Sequence, residues 1–151
     1  MKNMRKSLLF LQIFPLLFGC KNTIDLSSKI DELLVSRDNV NHITIYDIYF
    51  SSNSYKENGP FRAKQMYDKI TPFLTENNYD EEMTKLVNSD NGEKLTNMYT
   101  GINVLIFGSN DFKTSIYVTK YGYTYLTRVH YDALVFNSTS KLYSYLYSYI
   151  N

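Results

Sequence analysis

Residues 102–136 read INVLIFGSNDFKTSIYVTKYGYTYLTRVHYDALVF. The run Ile102–Phe107 is apolar except for Asn103, which suits a buried strand, and Gly108-Ser109-Asn110-Asp111 closes it with turn residues. Phe112–Lys120 alternates and predicts a second strand, with a tight turn at Tyr121-Gly122. Tyr123–Phe136 alternates again and predicts a third strand, long enough to bend near Asp132. Strands in succession, joined by turns too short for a helical crossover, pair antiparallel.

Upstream, the pattern is mixed. Leu26, Ile30, Leu33, Leu34 and Arg37 share one helical face. Ser28 and Asp31 have capping-box spacing, so a helix is predicted from about Ser27 to Asp38-Asn39. Ile43–Phe50 is β-branched and aromatic, and predicts a strand. Ser51–Gly59 reads as a polar loop, and Pro60 suits the first turn of the next helix. Ala63, Met66, Tyr67, Ile70, Phe73 and Leu74 form that helix's apolar stripe, with a kink or break expected at Pro72. Asp80 is placed to cap a further helix carrying Met83, Leu86 and Val87. Asn88–Gly92 reads as a turn, and Leu95, Met98 and Tyr99 as one more short helix. In the tail, Tyr143, Tyr145, Tyr147 and Tyr149 have period two, while Leu142, Leu146, Tyr149 and Ile150 make a helical stripe. The helix is the preferred reading. The sum is an α+β fold: an antiparallel sheet of four or five strands with helices packed on one face.

The N-terminal twenty residues are of another kind. A basic start (Lys2, Arg5, Lys6) precedes the apolar run Leu8–Phe18 and then Gly19-Cys20. As a helix that run would span roughly 16 Å, about half of a roughly 30 Å hydrocarbon core, so it is too short to cross a membrane. A basic region followed by a short apolar one describes a secretory signal peptide. Leu17-Phe18-Gly19-Cys20 resembles the lipobox of bacterial lipoproteins, a resemblance confined to residues 1–20. It implies a removed signal peptide (1–19) and S-diacylglyceryl and N-acyl modification of Cys20, with palmitate-type chains. It also implies export and attachment to the cell membrane. Lys21 would permit delivery to the outer membrane if the cell has two membranes. Residues 20–24 would then be a lipidated tether and 25–151 a single globular domain. Cys20 is the one cysteine of the chain, so after lipidation no thiol is left for a disulfide.

Charge narrows the function. The whole chain carries +1, but three of its sixteen basic residues and none of its fifteen acids precede Cys20, so the mature chain is at −2. There is no basic tract, which argues against a nucleic-acid partner. Fifteen Tyr and nine Phe with no Trp suit strands with one wet face, and binding surfaces.

Two constellations carry possible chemistry. On a continuous strand, Arg128, His130 and Asp132 would point to one face, a cation, an imidazole and a carboxylate in line. His42-Ile43-Thr44 resembles half the signature of the two-histidine phosphoesterases, whose paired His-x-Thr/Ser motifs flank one phosphate. The other histidine, in His130-Tyr131-Asp132, lacks the second hydroxyl. That resemblance implies a phosphoesterase or hydrolase using His42, Thr44 and His130. No metal-ligand spacing, phosphate loop or nucleophile elbow occurs, and no cofactor is expected. The expectation is therefore a non-enzymatic binding or accessory protein of the cell envelope, of assembly, exclusion or immunity type, with a protein or envelope partner. The hydrolase is the alternative.

Overall fold

The computed structural model describes residues 25–47, 55–89, 101–138 and 140–151. The signal peptide, Cys20 and its tether lie outside them, as do residues 48–50 of the predicted first strand and the predicted helix around Leu95–Tyr99.

The elements are helix α1 (Leu26–Leu33), strands β1 (His42–Asp47) and β2 (Tyr55–Asn58), helices α2 (Pro60–Ile70) and α3 (Glu81–Val87), strands β3 (Gly101–Phe107), β4 (Lys113–Thr119), β5 (Tyr123–Thr127) and β6 (Leu134–Asn137), and helix α4 (Ser140–Ile150). All strand pairs are antiparallel, in the order β2-β1-β3-β4-β5-β6. The fold is α+β, as the sequence predicts, but the sheet has six strands rather than four or five.

Two corrections account for the difference. Tyr55–Asn58, read as loop, pairs with Tyr46–Ile43 as an edge strand. Its polar sequence carries no hydrophobic alternation, because an edge needs charge more than it needs a buried face. The single strand expected over Tyr123–Phe136 is two strands, broken by a turn at 128–133 in which His130 has φ 71°. A left-handed residue leaves the pleat, so Arg128, His130 and Asp132 do not line one strand face.

One face of the sheet is the core. Ile43 and Ile45 of β1, Ile102, Val104 and Ile106 of β3, and Ile116 and Val118 of β4 all point there, with Leu126, Leu134 and Phe136. Helix α1 packs over β5, α2 over β1 and β2, and α4 over β1, β3 and β4. The helices contribute Ile30 and Leu33, Ala63, Met66 and Ile70, and Leu142, Leu146 and Ile150. The tail is thus a helix, and its period-two tyrosines divide between partly buried Tyr143 and Tyr149 and exposed Tyr145 and Tyr147.

Local chemistry sets the ends. Helix α1 is capped by Asp25, whose carboxylate accepts from the Ser27 N–H, and not by the Ser28 capping box. It stops at Leu33, earlier than expected, because the Thr114 hydroxyl donates to the Leu33 carbonyl at 2.6 Å and accepts from the Val35 N–H at 3.0 Å. One buried hydroxyl on β4 takes both groups and holds Leu34 extended. After α2, Pro72 forces the expected break into a 3₁₀ turn at Thr71–Phe73. Asp80 caps α3 through the Met83 N–H, as predicted. Gly122 has φ 91°, and a Cβ there would meet the Ser138 carbonyl at 2.6 Å, so the β4–β5 turn requires glycine.

The β6 edge is closed by α3. The Asp80 N–H donates to the Val135 carbonyl at 2.9 Å, and the Asn137 amide donates to the Asp80 carboxylate at 3.1 Å. The Thr84 hydroxyl accepts from the Val135 N–H at 2.9 Å. The Asn88 side chain both donates to and accepts from the Ala133 backbone, at 2.8 and 2.9 Å. Asp80, Thr84 and Asn88 stand four residues apart along one side of α3 and its caps and act in place of a seventh strand at this end of the sheet. Thr84→Val keeps the shape but leaves the buried Val135 N–H without an acceptor. It should cost about 1–3 kcal/mol in urea unfolding, with Ser89→Ala near neutral as the control.

On the surface, Arg37 grips Asp68 of α2 with two bonds of 2.7 Å. The bonded Arg37 guanidinium holds the Asp68 carboxyl below the usual carboxylate range. A depressed folded pKa stabilises above the unfolded value and is lost as pH falls. The stability gap between the wild type and Asp68→Asn should therefore be small at neutral pH and close below about pH 4 in acid titrations followed by circular dichroism.

Candidate functional site

The second face of the sheet carries the polar half of the alternation. From β1 it presents His42, Thr44 and Tyr46, and opposite them on β3 stand Phe107, Leu105 and Asn103. Lys113, Ser115 and Tyr117 follow on β4, and Thr127 and Tyr125 on β5. Among the described residues, α1, α2 and α4 pack on the core face and not on this one.

Three side chains on three strands form a hydrogen-bonded row. Ser115 Oγ donates to Asn103 Oδ1 at 2.9 Å, and Asn103 Nδ2 donates to the Tyr46 oxygen at 2.8 Å. All three are half-buried. On one side of this row, the His42 ring stacks on Phe107 at 4.1 Å and 11°, and the Lys113 ammonium lies 5.2 Å from the same ring. His42 Nε2 is 4.0 Å from the Glu57 carboxylate. On the other side, Tyr117 and Tyr125 pack ring to ring at 5.7 Å. Flat rings flank a row of amide and hydroxyl groups. Tyr125 and Thr44 are buried, so the contact area such a surface offers comes from the half-buried His42, Phe107 and Tyr117 rings beside the hydrogen-bonding row.

His42 and Thr44 share this face, two residues apart on β1. His130 does not join them. It is exposed in the β5–β6 turn, and β3 and β4 lie between its strand and β1. Three inter-strand steps separate β1 from β5 by roughly 14 Å. The structure does not bring the two imidazoles to one phosphate.

The second predicted constellation is rearranged by the turn. The Arg128 guanidinium lies 3.8 Å from the Phe112 ring centroid and 5.2 Å from that of Tyr131, and Nη1 donates to the Glu32 carbonyl at 3.5 Å. His130 and Asp132 are exposed. A cleft of about 240 Å³ beside the turn is lined by Lys29, Glu32, Tyr79, Asn88, Tyr131 and Asp132, among others. A second, of about 380 Å³, lies between the end of α1 and the β3–β4 turn. Both are open and half polar, unlike an enclosed apolar ligand cavity. Among the described residues, no three His, Cys, Asp or Glu side chains are grouped to hold a metal ion. None of the described helices is long and apolar enough to cross a membrane.

No family model matches the chain, and neither a curated protein nor a solved structure matches it. The site therefore rests on geometry. The Tyr46–Asn103–Ser115 row was not foreseen, since the strands are legible but their mutual register is not.

Asn103→Ala removes the middle of the row and leaves Tyr46 and Ser115 to water. A loss of about 1 kcal/mol in urea unfolding is expected, with the far-ultraviolet circular dichroism unchanged.

Proposed function

We propose that the chain is a lipid-anchored protein of the cell envelope, modified on Cys20, whose domain binds a protein or envelope component without catalysing a reaction. The observation that carries the reading is Leu17-Phe18-Gly19-Cys20 at the end of a short apolar leader. A lone thiol at that position has a chemical purpose, because it is the nucleophile that takes the diacylglyceryl group. One acyl chain binds a membrane only marginally, at roughly 10⁴ M⁻¹, and two or three make attachment stable.

Recognition rather than catalysis is supported by the second sheet face. At its centre the Tyr46, Asn103 and Ser115 polar atoms are spent on one another in a fixed row, which suits complementary contact more than proton transfer. The two-histidine alternative needs His42 and His130 on one phosphate, and their separation across β3 and β4 weighs against it.

Cys20→Ala should abolish incorporation of labelled fatty acid and move the protein from the membrane to the soluble fraction. Full membrane retention of that variant would overturn the anchor. For the binding face, the full chain should capture an envelope partner that Leu105→Glu, placed at the centre of the face, no longer captures. Equal capture by both would place recognition elsewhere.

A further inference from the structure

Among the described residues seven large apolar or aromatic side chains are exposed, and two of them share the tip of the β5–β6 turn. Val129 is 71% exposed, and Tyr131, two residues on, is 42% exposed. Between and beside them stand His130 and Arg128. Arg128 is held over two rings, and no carboxylate among the described residues pairs with it. An apolar side chain, a tyrosine and a fixed cation at one tip is the composition that settles at a membrane–water boundary. There the aliphatic group meets acyl chains, the phenol sits at headgroup level and the guanidinium meets phosphate.

The start of the domain brings this tip to the bilayer. Cys20 precedes Asp25 by five residues, which span at most about 17 Å when fully extended. That is little more than the roughly 14 Å radius of gyration of a domain this size. The first residue of the domain is therefore held close to the membrane, and the turn packs against the last turn of the short helix that follows it. Arg128 contacts the Glu32 carbonyl, and Lys29 and Glu32 share a cleft wall with Tyr131. Glu32 is about 10 Å along the helix from Asp25. The opposite end of the strands, at Tyr121-Gly122, is a full strand length away; Tyr121 is exposed there with Lys120 over its ring, but among the described residues no exposed aliphatic side chain stands beside them. Phe61, also exposed, starts α2 on the β1–β2 side of the sheet.

We propose that the 128–133 turn is a membrane-contact tip. With the anchor on Cys20, it seats Val129 and Tyr131 in the bilayer interface and fixes the domain's orientation, turning the strand end at Tyr121-Gly122 away from the lipid. The proposal rests on the lipid-anchor reading.

Hydrogen–deuterium exchange of the full chain tests it without added labels. On phosphatidylcholine–phosphatidylglycerol vesicles, the peptide 128–133 of the lipidated protein should exchange about tenfold more slowly than in the released Cys20→Ala chain. Peptides 119–122 and 59–63 should be unchanged. Val129→Asp should restore fast exchange at 128–133 while the lipidated protein still floats with the vesicles. Unchanged exchange at 128–133, or slowing at 59–63 or 119–122 in its place, would overturn the proposal. If the protein takes up no fatty acid and does not float, the anchor reading has failed by itself. Coupling its free Cys20 thiol to a maleimide lipid then restores the attachment, and the same three peptides decide the orientation.

Discussion

A sheet that is not closed into a barrel has two edges, and each is a row of backbone N–H and C=O groups that must be hydrogen-bonded or solvated. That constraint organises this domain. At β6 it is met by the Asp80 backbone N–H and the side chains of Thr84 and Asn88, in and beside α3, which occupy the places a seventh strand would take. At the other end it is met by composition, since the outermost strand is the short, polar Tyr55–Asn58. Between the edges the strands need only bury one face, and α1, α2 and α4 do that.

The same economy appears at the end of α1. A helix leaves its last carbonyls without intrahelical donors. Here the Thr114 hydroxyl, fully buried on β4, supplies a donor to Leu33 and an acceptor to Val35. Two elements are thereby locked by an atom that no helix rule would have picked out. The Tyr46–Asn103–Ser115 row on the second face is built likewise, from residues far apart in sequence that meet only through strand register.

How much of this was legible depended on whether a signal was local. The strands over Ile102–Lys120, the break at Pro72, the Asp80 cap and the glycine turn at Tyr121-Gly122 follow from residue type and spacing within one segment. The misses share a cause. Tyr55–Asn58 is a strand because β1 lies beside it, and its own residues give no period. The break at 128–133 depends on His130 entering the left-handed region, which the alternating pattern around it conceals. Helix α1 stops short because of a threonine some eighty positions away. Of the candidate site, His42 and Thr44 were singled out by the His-x-Thr pattern alone. The Phe107 ring under His42 and the amide row beside it required knowing which strands are neighbours.

The helix that closes β6 also sets a limit on its own length. Four residues of helix rise about 6.0 Å, while two residues of strand advance about 6.7 Å, so the two rulers nearly coincide. The rungs Asp80–Asn137, Thr84–Val135 and Asn88–Ala133 use that near match. The error grows by about 0.7 Å per step, and a fourth rung would be about 2 Å out of place, beyond the reach of a hydrogen bond. The nine residues from Asp80 to Asn88 against the five from Ala133 to Asn137 are therefore close to the longest pairing this vernier permits. A longer last strand would outrun its cover and offer bare backbone to another chain.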